Sequence, residues 1–371
     1  MRVLVVYASA GAGHSKAAQA IYNCFKENFK QIDVELVDAL EKTSPFFRLS
    51  YRNGYSFLIN KAIFLWAFAF WLTHAKPLRK LTRGVAQIIN YINSKGFIDF
   101  LLRNNPDFII STHFLTSEIA AVLKKSKKIK SQVATVITDY GLHPFWVSDG
   151  TDTYIVASEF SKKELVSEGI DEKNIKNLGI PIDAKFLKEY DKALLRERFG
   201  IDKKRFTALV VTGSFGIGPI EELAELMHKE VQLIIVCANN KSLFKRLKDK
   251  NYPNCVVFGF VDNIQELMSA ADIIVTKPGG MTISEALAIG IVPIFISAIP
   301  GQEVENVRFL ERFGIGKSSK SVEKIRKIVL DYKDNPEKFL EIKKKISCIS
   351  KPNAALEICN VVCKDSFGPS G

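Results

Sequence analysis

The six cysteines of the sequence form no motif of a metal or redox site. They lie at positions 24, 237, 255, 348, 359 and 363, with no Cys-x-x-Cys pair and no clustered histidines. Structural zinc sites need such spacing, so a zinc site is not expected and mostly buried, reduced thiols are. We expect no metal ion in this protein.

A hydrophobic run long enough to cross a bilayer is also missing. The most apolar stretch, residues 62–72, is uncharged for eleven residues. As a helix it would be about 16 Å long, roughly half of a bilayer core, so it cannot span. Because the first residues have the pattern of a core strand, we expect no cleaved signal peptide and a cytoplasmic protein.

Acidic residues are absent from residues 42–98, although the chain as a whole has a formal net charge of +12. The same stretch carries nine Lys or Arg residues, and ten aromatic residues lie within residues 46–71. Aromatic segments flanked by cations are typical of proteins that lie in anionic lipid headgroups. A buried core helix with solvated basic neighbours is the alternative, and the apolar density disfavours single-stranded nucleic acid. The residues predicted to contact the membrane are Trp66, Trp71, Arg79 and Lys80.

The N-terminal glycine loop lacks the third glycine of a dinucleotide fingerprint. An apolar strand pattern ends at Gly11 and Gly13, helical spacing follows over Ser15–Phe29, and Lys16 stands where the third glycine would be. His14 is therefore predicted at a helix N-terminus, where the dipole favours a neutral imidazole. A neutral histidine is a competent general base, and an incidental histidine in a structural turn is the alternative.

At 371 residues the chain is long enough for two domains, and strands alternate with helices in both halves. Strands are predicted at Val34–Asp38, Asp107–Ser111, Val133–Thr138, Thr153–Ala157, Phe206–Thr212, Leu233–Cys237, Cys255–Phe258, Asp272–Thr276 and Val292–Ile296. The pattern predicts an α/β protein with two doubly wound, Rossmann-like domains facing across a cleft, at residues 1–183 and 184–345. A C-terminal helix and tail, residues 346–371, is expected to pack back on the first domain.

Two glycine turns in the second half suit a phosphorylated ligand. The first, Gly213–Gly218, follows a strand, and the second lies in Thr276–Glu285, where Gly279 and Gly280 open a helix. Backbone N–H groups there can bind a diphosphate. Glu285 would lie within reach of ribose hydroxyls, or on the surface, and Pro300–Asn306 supplies amide and acid side chains suited to a sugar.

Together these motifs resemble the bacterial diacylglycerol glucosyltransferases and monogalactosyldiacylglycerol synthases, which are family 28 glycosyltransferases. The matching motifs, in the same order over nearly the whole chain, are Gly-Ala-Gly-His14, Thr138-Asp139-Tyr140 with His143 and Trp146, Lys277-Pro-Gly-Gly-Met-Thr-Ile-Ser-Glu285 and Pro300-Gly-Gln-Glu303. The resemblance implies a GT-B fold and glycolipid biosynthesis. It implies inverting, metal-independent transfer of a hexose from UDP-glucose or UDP-galactose to diacylglycerol at the inner face of the cell membrane.

The resemblance also implies roles for single residues. His14 would be the base, with Asp139 and His143 orienting or assisting it, or only holding their loop. Gly13, Pro45 and Trp146 would lie near the lipid acceptor. The implied donor-binding residues are Gly213, Ser214, Gly216, Phe260, Val261, Lys277, Gly279, Gly280, Met281, Thr282, Glu285, Gln302 and Glu303.

Three other functions fit parts of the pattern. A lipid II-type N-acetylglucosaminyltransferase shares fold, donor and membrane surface, but would want a diphosphate loop in the first domain. A sensor that binds UDP-sugars and docks on membranes would show no transfer. An epimerase acting on free UDP-N-acetylglucosamine has no use for the basic, aromatic segment.

Overall fold

Two parallel six-stranded sheets organise the protein, each inside its own unit. In this computed structural model the described residues are 1–51, 54, 64, 76–296, 298 and 301–367. The first unit contains the described residues of Met1–Ala184, Ile299–Gln302 and Lys351–Gly371. The second contains those of Lys185–Ala298 and Glu303–Ser350.

Much of the most apolar segment lies outside the described residues. This is the case for Trp66 and Trp71, and also for the side chains of Arg79 and Lys80. Their predicted contacts with a membrane surface therefore stay predictions. Within the described part of the chain, no helix combines the length and the apolar character that crossing a membrane requires.

The first sheet has the strand order β2-β1-β3-β4-β5-β6, with every neighbouring pair parallel. Its strands are β1 Arg2–Tyr7, β2 Asp33–Asp38, β3 Phe108–Ser111, β4 Gln132–Val136, β5 Thr153–Val156 and β6 Ile175–Asn177. The helices up to this point are α1 Ala12–Asn28, α2 Lys76–Asn93, α3 Lys95–Asn104, α4 Phe114–Lys125 and α5 Glu159–Ser167. The order of the first five strands is that of a doubly wound sheet.

Both faces of the first sheet are buried. Val3 and Val5 of β1 pack on one face with Phe25 of α1, whereas Leu4 and Val6 pack in a separate cluster on the other face. A parallel sheet covered on both faces needs strands that are apolar at every position. For this reason β1 appears in the sequence as an unbroken apolar run.

The second sheet has the order β12-β11-β10-β7-β8-β9, again parallel. Its strands are β7 Thr207–Val211, β8 Gln232–Val236, β9 Cys255–Phe258, β10 Ile273–Thr276, β11 Val292–Ile296 and β12 Ser318–Ser319. Its helices are α6 Lys192–Arg198, α7 Ile220–Met227, α8 Lys241–Lys250, α9 Ile264–Ala270, α10 Gly280–Ile289, α11 Gln302–Glu311, α12 Val322–Asp334 and α13 Pro336–Ile349. The predicted α/β class with two doubly wound sheets is confirmed.

The last helix, α14 Ala354–Phe367, is part of the first unit and packs on α1. Ile358 and Cys359 of α14 are fully buried, and the Cys359 thiol lies 3.8 Å from the backbone carbonyl oxygen of Ile21. The apolar face of α14 therefore completes one core of the first unit.

Each sheet has one point where the chain reverses its direction of winding, and ligands of such folds bind there, beyond the carboxyl ends of the strands. In the first sheet this point lies between β1 and β3, where Val6 is opposite Ser111. In the second it lies between β7 and β10, where Val211 is opposite Thr276. The glycine loops of the sequence follow β1, β7 and β10, so all three lie at such points.

Among the predicted element boundaries that differ from the structure, two bear on the position of His14. Helix α1 begins at Ala12 instead of Ser15, because Gly11 adopts a φ of 106° as the residue before the helix. Strand β4 ends at Val136 instead of Thr138. The consequence is that His14 lies inside the first turn of α1 and Thr138 lies in a loop.

Candidate active site

His14 is held by two backbone segments that follow neighbouring strands. Its Nδ1 atom lies 2.8 Å from the carbonyl oxygen of Thr112, which follows β3, and 2.9 Å from Oγ1 of Thr138, which follows β4. The Thr112 hydroxyl in turn donates to the carbonyl oxygen of His14 at 2.9 Å. Since a carbonyl oxygen can only accept, we assign the ring proton to Nδ1. The lone pair of the imidazole is then on Nε2.

The surroundings of His14 keep it neutral. Burial lowers its pKa from 6.5 to about 4, while the hydrogen bond to the Thr112 carbonyl opposes part of that shift. The first turn of α1 also favours an uncharged imidazole, because the helix dipole is positive at that end. At neutral pH the Nε2 lone pair is therefore available to accept a proton.

His113 belongs to the same cluster, and sequence reasoning missed it. Its ring is edge-on to that of His14, with 4.5 Å between ring centroids and 71° between ring planes. Burial, and secondarily the charge that His14 can carry, hold the pKa of His113 well below its usual value. His113 directly follows Thr112 after β3, and β3 lies beside β1 in the sheet. A prediction of this strand pairing could have placed His113 beside His14.

Trp146 supports this cluster from inside the unit. Its side chain is 0% exposed, and its ring centroid lies 6.0 Å from that of His14. Trp146 was expected near the lipid headgroup, but its side chain has no exposed surface that a lipid could contact. Its position fits packing against the His14 ring.

Asp139 and His143 lie in the loop after β4. His143 is buried, and its Nδ1 accepts a hydrogen bond from the backbone N–H of Phe145 at 3.2 Å, which caps the short helix Pro144–Trp146. Asp139 is half-buried and directly follows Thr138. For His143, this geometry favours the loop-holding role over the catalytic one.

The donor-side loop opens α10 without a side-chain cap. Gly279 is the residue before the helix, and the first turn contains no acidic residue. A Cβ atom at Gly279 would meet no atom of the described residues within 4 Å, so among these residues the space beside the first N–H groups of α10 is open. An uncapped helix N-terminus of this kind binds anions through its N–H groups and its dipole. Lys277, Gly280, Met281 and Thr282 lie in this same loop and first turn.

A buried asparagine holds that loop in place. Asn306 of α11 is fully buried, and its side-chain amide donates to the carbonyl oxygen of Pro278 at 3.0 Å. Asn306 lies at the end of a segment predicted to suit sugar hydroxyls, and in the structure its side chain is bonded inside the protein. Glu285, in the second turn of α10, is only 4% exposed.

The first glycine turn of the second unit is fixed by sterics and by two asparagines. Gly213 and Gly216 adopt φ values of 79° and 57°, and a Cβ at Gly216 would lie 2.2 Å from the carbonyl oxygen of Cys237. The amides of Asn239 and Asn240 donate to the carbonyl oxygens of Ser214 and Gly216, each at 3.0 Å. At Gly216, the positive φ and the close approach to Cys237 therefore require a glycine.

The remaining predicted residues are spread over loop and helix ends. Phe260 follows β9 and is 70% exposed, and Val261 beside it is half-buried. Gln302 and Glu303 are half-buried at the start of α11. In the first unit, Gly13 lies in the first turn of α1, and Pro45 is exposed at the start of a helical stretch.

Two family models match the chain. The model described as monogalactosyldiacylglycerol (MGDG) synthase matches residues 14–182, and that of the glycosyltransferase family 28 C-terminal domain matches residues 207–355. The chain is 30% identical over 387 residues to a processive diacylglycerol beta-glucosyltransferase of Bacillus licheniformis, covering 98% of this chain and 95% of that protein. The chain belongs to the glycosyltransferase family of these diacylglycerol glucosyltransferases. A processive diacylglycerol beta-glucosyltransferase of Staphylococcus carnosus is 29% identical over 341 residues, with 89% of this chain and 84% of that protein covered.

The fold of this family member is also found in a solved structure. The crystal structure of MurG from Acinetobacter baumannii superimposes with a TM-score of 0.64 at 15% identity, covering 98% of this chain and 99% of that one. At this identity the likeness concerns the fold alone, and the predicted GT-B class is confirmed. Among the described residues, no group of three or more His, Cys, Asp or Glu side chains is arranged to hold a metal ion.

The half-buried His14 and the buried His113 of this glycosyltransferase should make its stability depend on pH. The pKa of His14 falls from 6.5 to about 4 in the folded protein, and that of His113 falls as well. Below pH 6.5 the unfolded chain binds protons that the folded one does not, so the free energy of unfolding should decrease as the pH drops toward 4.

Denaturant unfolding near pH 7 and near pH 4.5 measures this dependence. A His14→Gln variant should lose less stability over this interval than the wild type, because its side chain does not titrate. An equal loss in both proteins would contradict the lowered pKa and the neutral state of His14.

Proposed function

We propose that this protein transfers a hexose from a UDP-sugar to diacylglycerol, giving a glycosyl-diacylglycerol. The observation that carries the proposal is the His14 imidazole, which is fixed at Nδ1 by the Thr112 carbonyl and leaves Nε2 as a base. This side chain lies at the carboxyl edge of the first sheet, where ligands of such folds bind. The names of the two relatives, both processive diacylglycerol beta-glucosyltransferases, support the same acceptor.

On the acceptor side, His14 Nε2 accepts the proton of the glycerol hydroxyl while its oxygen attacks the anomeric carbon. One displacement of this kind inverts the configuration at that carbon. A pKa of about 4 makes His14 a weak base in the free protein. We expect binding of the anionic donor to raise that pKa, because nearby negative charge favours the protonated imidazole.

On the donor side, the N-terminus of α10 and the Gly213–Gly218 turn bind the diphosphate. The N–H groups and the helix dipole stabilise the charge of the departing UDP, which is the kind of preorganised electrostatics that contributes most to catalysis. Glu285 accepts hydrogen bonds from the ribose hydroxyls. Gln302 and Glu303 bind the hexose, and the backbone at Phe260 and Val261 contacts uracil. We expect full activity in the presence of a chelator, since these groups supply the positive potential.

The protein binds the inner membrane surface through α2. Val85, Ile88, Ile89 and Ile92 share one helical face and are 49%, 62%, 50% and 69% exposed. Four cationic residues, Lys76, Arg79, Lys80 and Arg83, precede them in the same helix. Such an amphipathic helix places its apolar face among acyl chains and its cations among anionic headgroups.

Replacing Ile88 and Ile92 by serine should weaken binding to anionic vesicles by roughly 30-fold or more. Complete burial of an isoleucine contributes about 1.5–3 kcal/mol, and about two thirds of each side chain is exposed and available for burial. Vesicle co-sedimentation measures this. The matched control replaces Leu340 and Leu356, which are 57% and 41% exposed on other helices, and should leave binding unchanged. Equal binding by both double variants would rule out α2 as the membrane surface.

The proposed reaction is tested with two acceptors side by side. Labelled UDP-glucose, UDP-galactose and UDP-N-acetylglucosamine are each added to vesicles in separate reactions. The vesicles contain either diacylglycerol or a polyprenyl-diphosphate sugar. We expect label in the diacylglycerol product, with the β configuration that inversion of an α-linked donor requires. Label only in the polyprenyl product would point to the lipid II type of acceptor, and UDP-sugar binding without transfer would point to a sensor.

A further inference from the structure

The protonation state of His113 follows from its position before α4. Its Nδ1 atom accepts a hydrogen bond from the backbone N–H of Leu115 at 3.1 Å, which caps the N-terminus of that helix. A nitrogen that accepts this bond carries no proton, so the ring proton of the neutral imidazole is on Nε2. The Nε2 atom of His113 is therefore a hydrogen-bond donor and nothing else.

The neighbouring ring has the opposite assignment. His14 has its proton on Nδ1, which faces Thr112 and Thr138, and its lone pair on Nε2. The two ring centroids are 4.5 Å apart. Throughout the described part of the chain, neither Nε2 atom has a hydrogen-bond partner. The two neighbouring rings thus offer one acceptor and one donor.

Diacylglycerol presents the complementary pair of groups. Its hydroxyl can donate to His14, and the ester on the adjacent glycerol carbon has a carbonyl oxygen that can only accept. A donor placed on the attacking oxygen itself would draw electron density from the nucleophile, whereas a donor on the carbonyl would orient the glycerol without that cost.

We infer that His113 is an acceptor-binding residue whose Nε2–H donates a hydrogen bond to the ester carbonyl of diacylglycerol and so aligns the hydroxyl with His14. The inference rests on the proposed function. It adds a requirement for an ester beside the reacting hydroxyl, so a glycerol with two ether-linked chains should be a poor acceptor.

A role limited to capping α4 is the structural alternative, and two substitutions separate it from substrate binding. In His113→Asn the side-chain oxygen occupies the place of Nδ1, and asparagine is a favoured N-cap residue, but no donor remains at the Nε2 position. In His113→Gln the amide NH2 reaches the Nε2 position, but the cap is lost. A pure cap would leave His113→Asn active and make His113→Gln the weaker protein.

The experiment measures kcat/KM for diacylglycerol and for its dialkyl ether analogue, in wild type and both variants, together with UDP binding and thermal unfolding. We expect His113→Asn to lose about 10- to 100-fold on diacylglycerol and His113→Gln to recover to within about fivefold of wild type, both with normal UDP binding. The wild type should prefer the ester lipid by about 10-fold or more, and His113→Asn should show no preference.

Three results would overturn the inference. They are near wild-type activity of His113→Asn, loss in His113→Asn without recovery in His113→Gln, and an ester preference that persists in His113→Asn. Wild-type protein in the same assay separates this failure from that of the proposed function. No transfer by wild type overturns both proposals, whereas normal wild-type transfer with any of the three results overturns only the role of His113.

Discussion

Replacing His14 by alanine should lower kcat by about 10²- to 10⁴-fold, the range that a positioned general base contributes. The substitution removes the imidazole whose Nδ1 is held by the Thr112 carbonyl and whose Nε2 is the proposed base. UDP binding should stay unchanged, because the proposed donor groups lie on the second unit. Single-turnover transfer to diacylglycerol and calorimetric UDP binding measure the two effects separately.

Two further variants sharpen this result. Thr138→Val removes the hydroxyl that lies 2.9 Å from Nδ1 while the Thr112 carbonyl remains, so we expect an intermediate loss of about 10-fold. Ser15→Ala removes the neighbouring hydroxyl, which donates to the carbonyl of Ala12 in its own helix turn, and should be nearly neutral. If purified His14→Ala transferred the hexose at close to the wild-type rate, another group would have to be the base.

Replacing Gly279 by alanine should weaken donor binding without harming the fold. The backbone φ of −73° suits any residue, and a Cβ there meets no protein atom within 4 Å. We expect the free energy of unfolding to stay within about 0.5 kcal/mol of wild type. The methyl group would fill the space beside the N–H groups of α10, so UDP affinity should fall by about 10-fold or more, and further in Gly279→Val.

The control for this prediction is Gly84→Ala in α2. Gly84 also has open space around a built Cβ, so the two substitutions are sterically alike within the protein. Gly84→Ala should bind UDP normally. Normal binding by Gly279→Ala as well would exclude the N-terminus of α10 as the diphosphate site.

The parts of the fold that follow from local pattern could be predicted from the sequence. Strands such as β1 and β10 are buried on both faces, so they appear as unbroken apolar runs, and the glycines after them mark the loops. Gly11, Gly216 and Gly279 were recognisable because their spacing after a strand is typical of a ligand-binding turn. His14 followed from its place directly after one of these turns.

What the sequence could not supply is which side chains from distant segments meet. His113 lies 99 positions after His14 and reaches it only because β3 pairs with β1, a pairing that skips β2. Asn306 reaches Pro278 from another helix, and its burial could not be told from its polar character. Trp146 is of a residue type that is common at membrane interfaces, but its side chain is fully buried in the interior.

The histidine pair also shows why tautomers need the structure. Both residues precede or begin a helix, and both use Nδ1 for a hydrogen bond, yet one donates to a carbonyl and the other accepts from an N–H. These opposite partners give opposite roles to the two Nε2 atoms. Only the three-dimensional position of Thr112 and Leu115 decides between them.

The most direct test of the central claim is the mass of the lipid product. The protein is incubated with anionic vesicles that contain diacylglycerol, and each UDP-hexose is added in a separate reaction. The masses of the extracted lipids are then measured by mass spectrometry. We predict a new lipid heavier than diacylglycerol by one hexose residue with UDP-glucose or UDP-galactose, and its absence with His14→Ala. UDP-sugar binding by the wild type with no heavier lipid from any donor would contradict the claim.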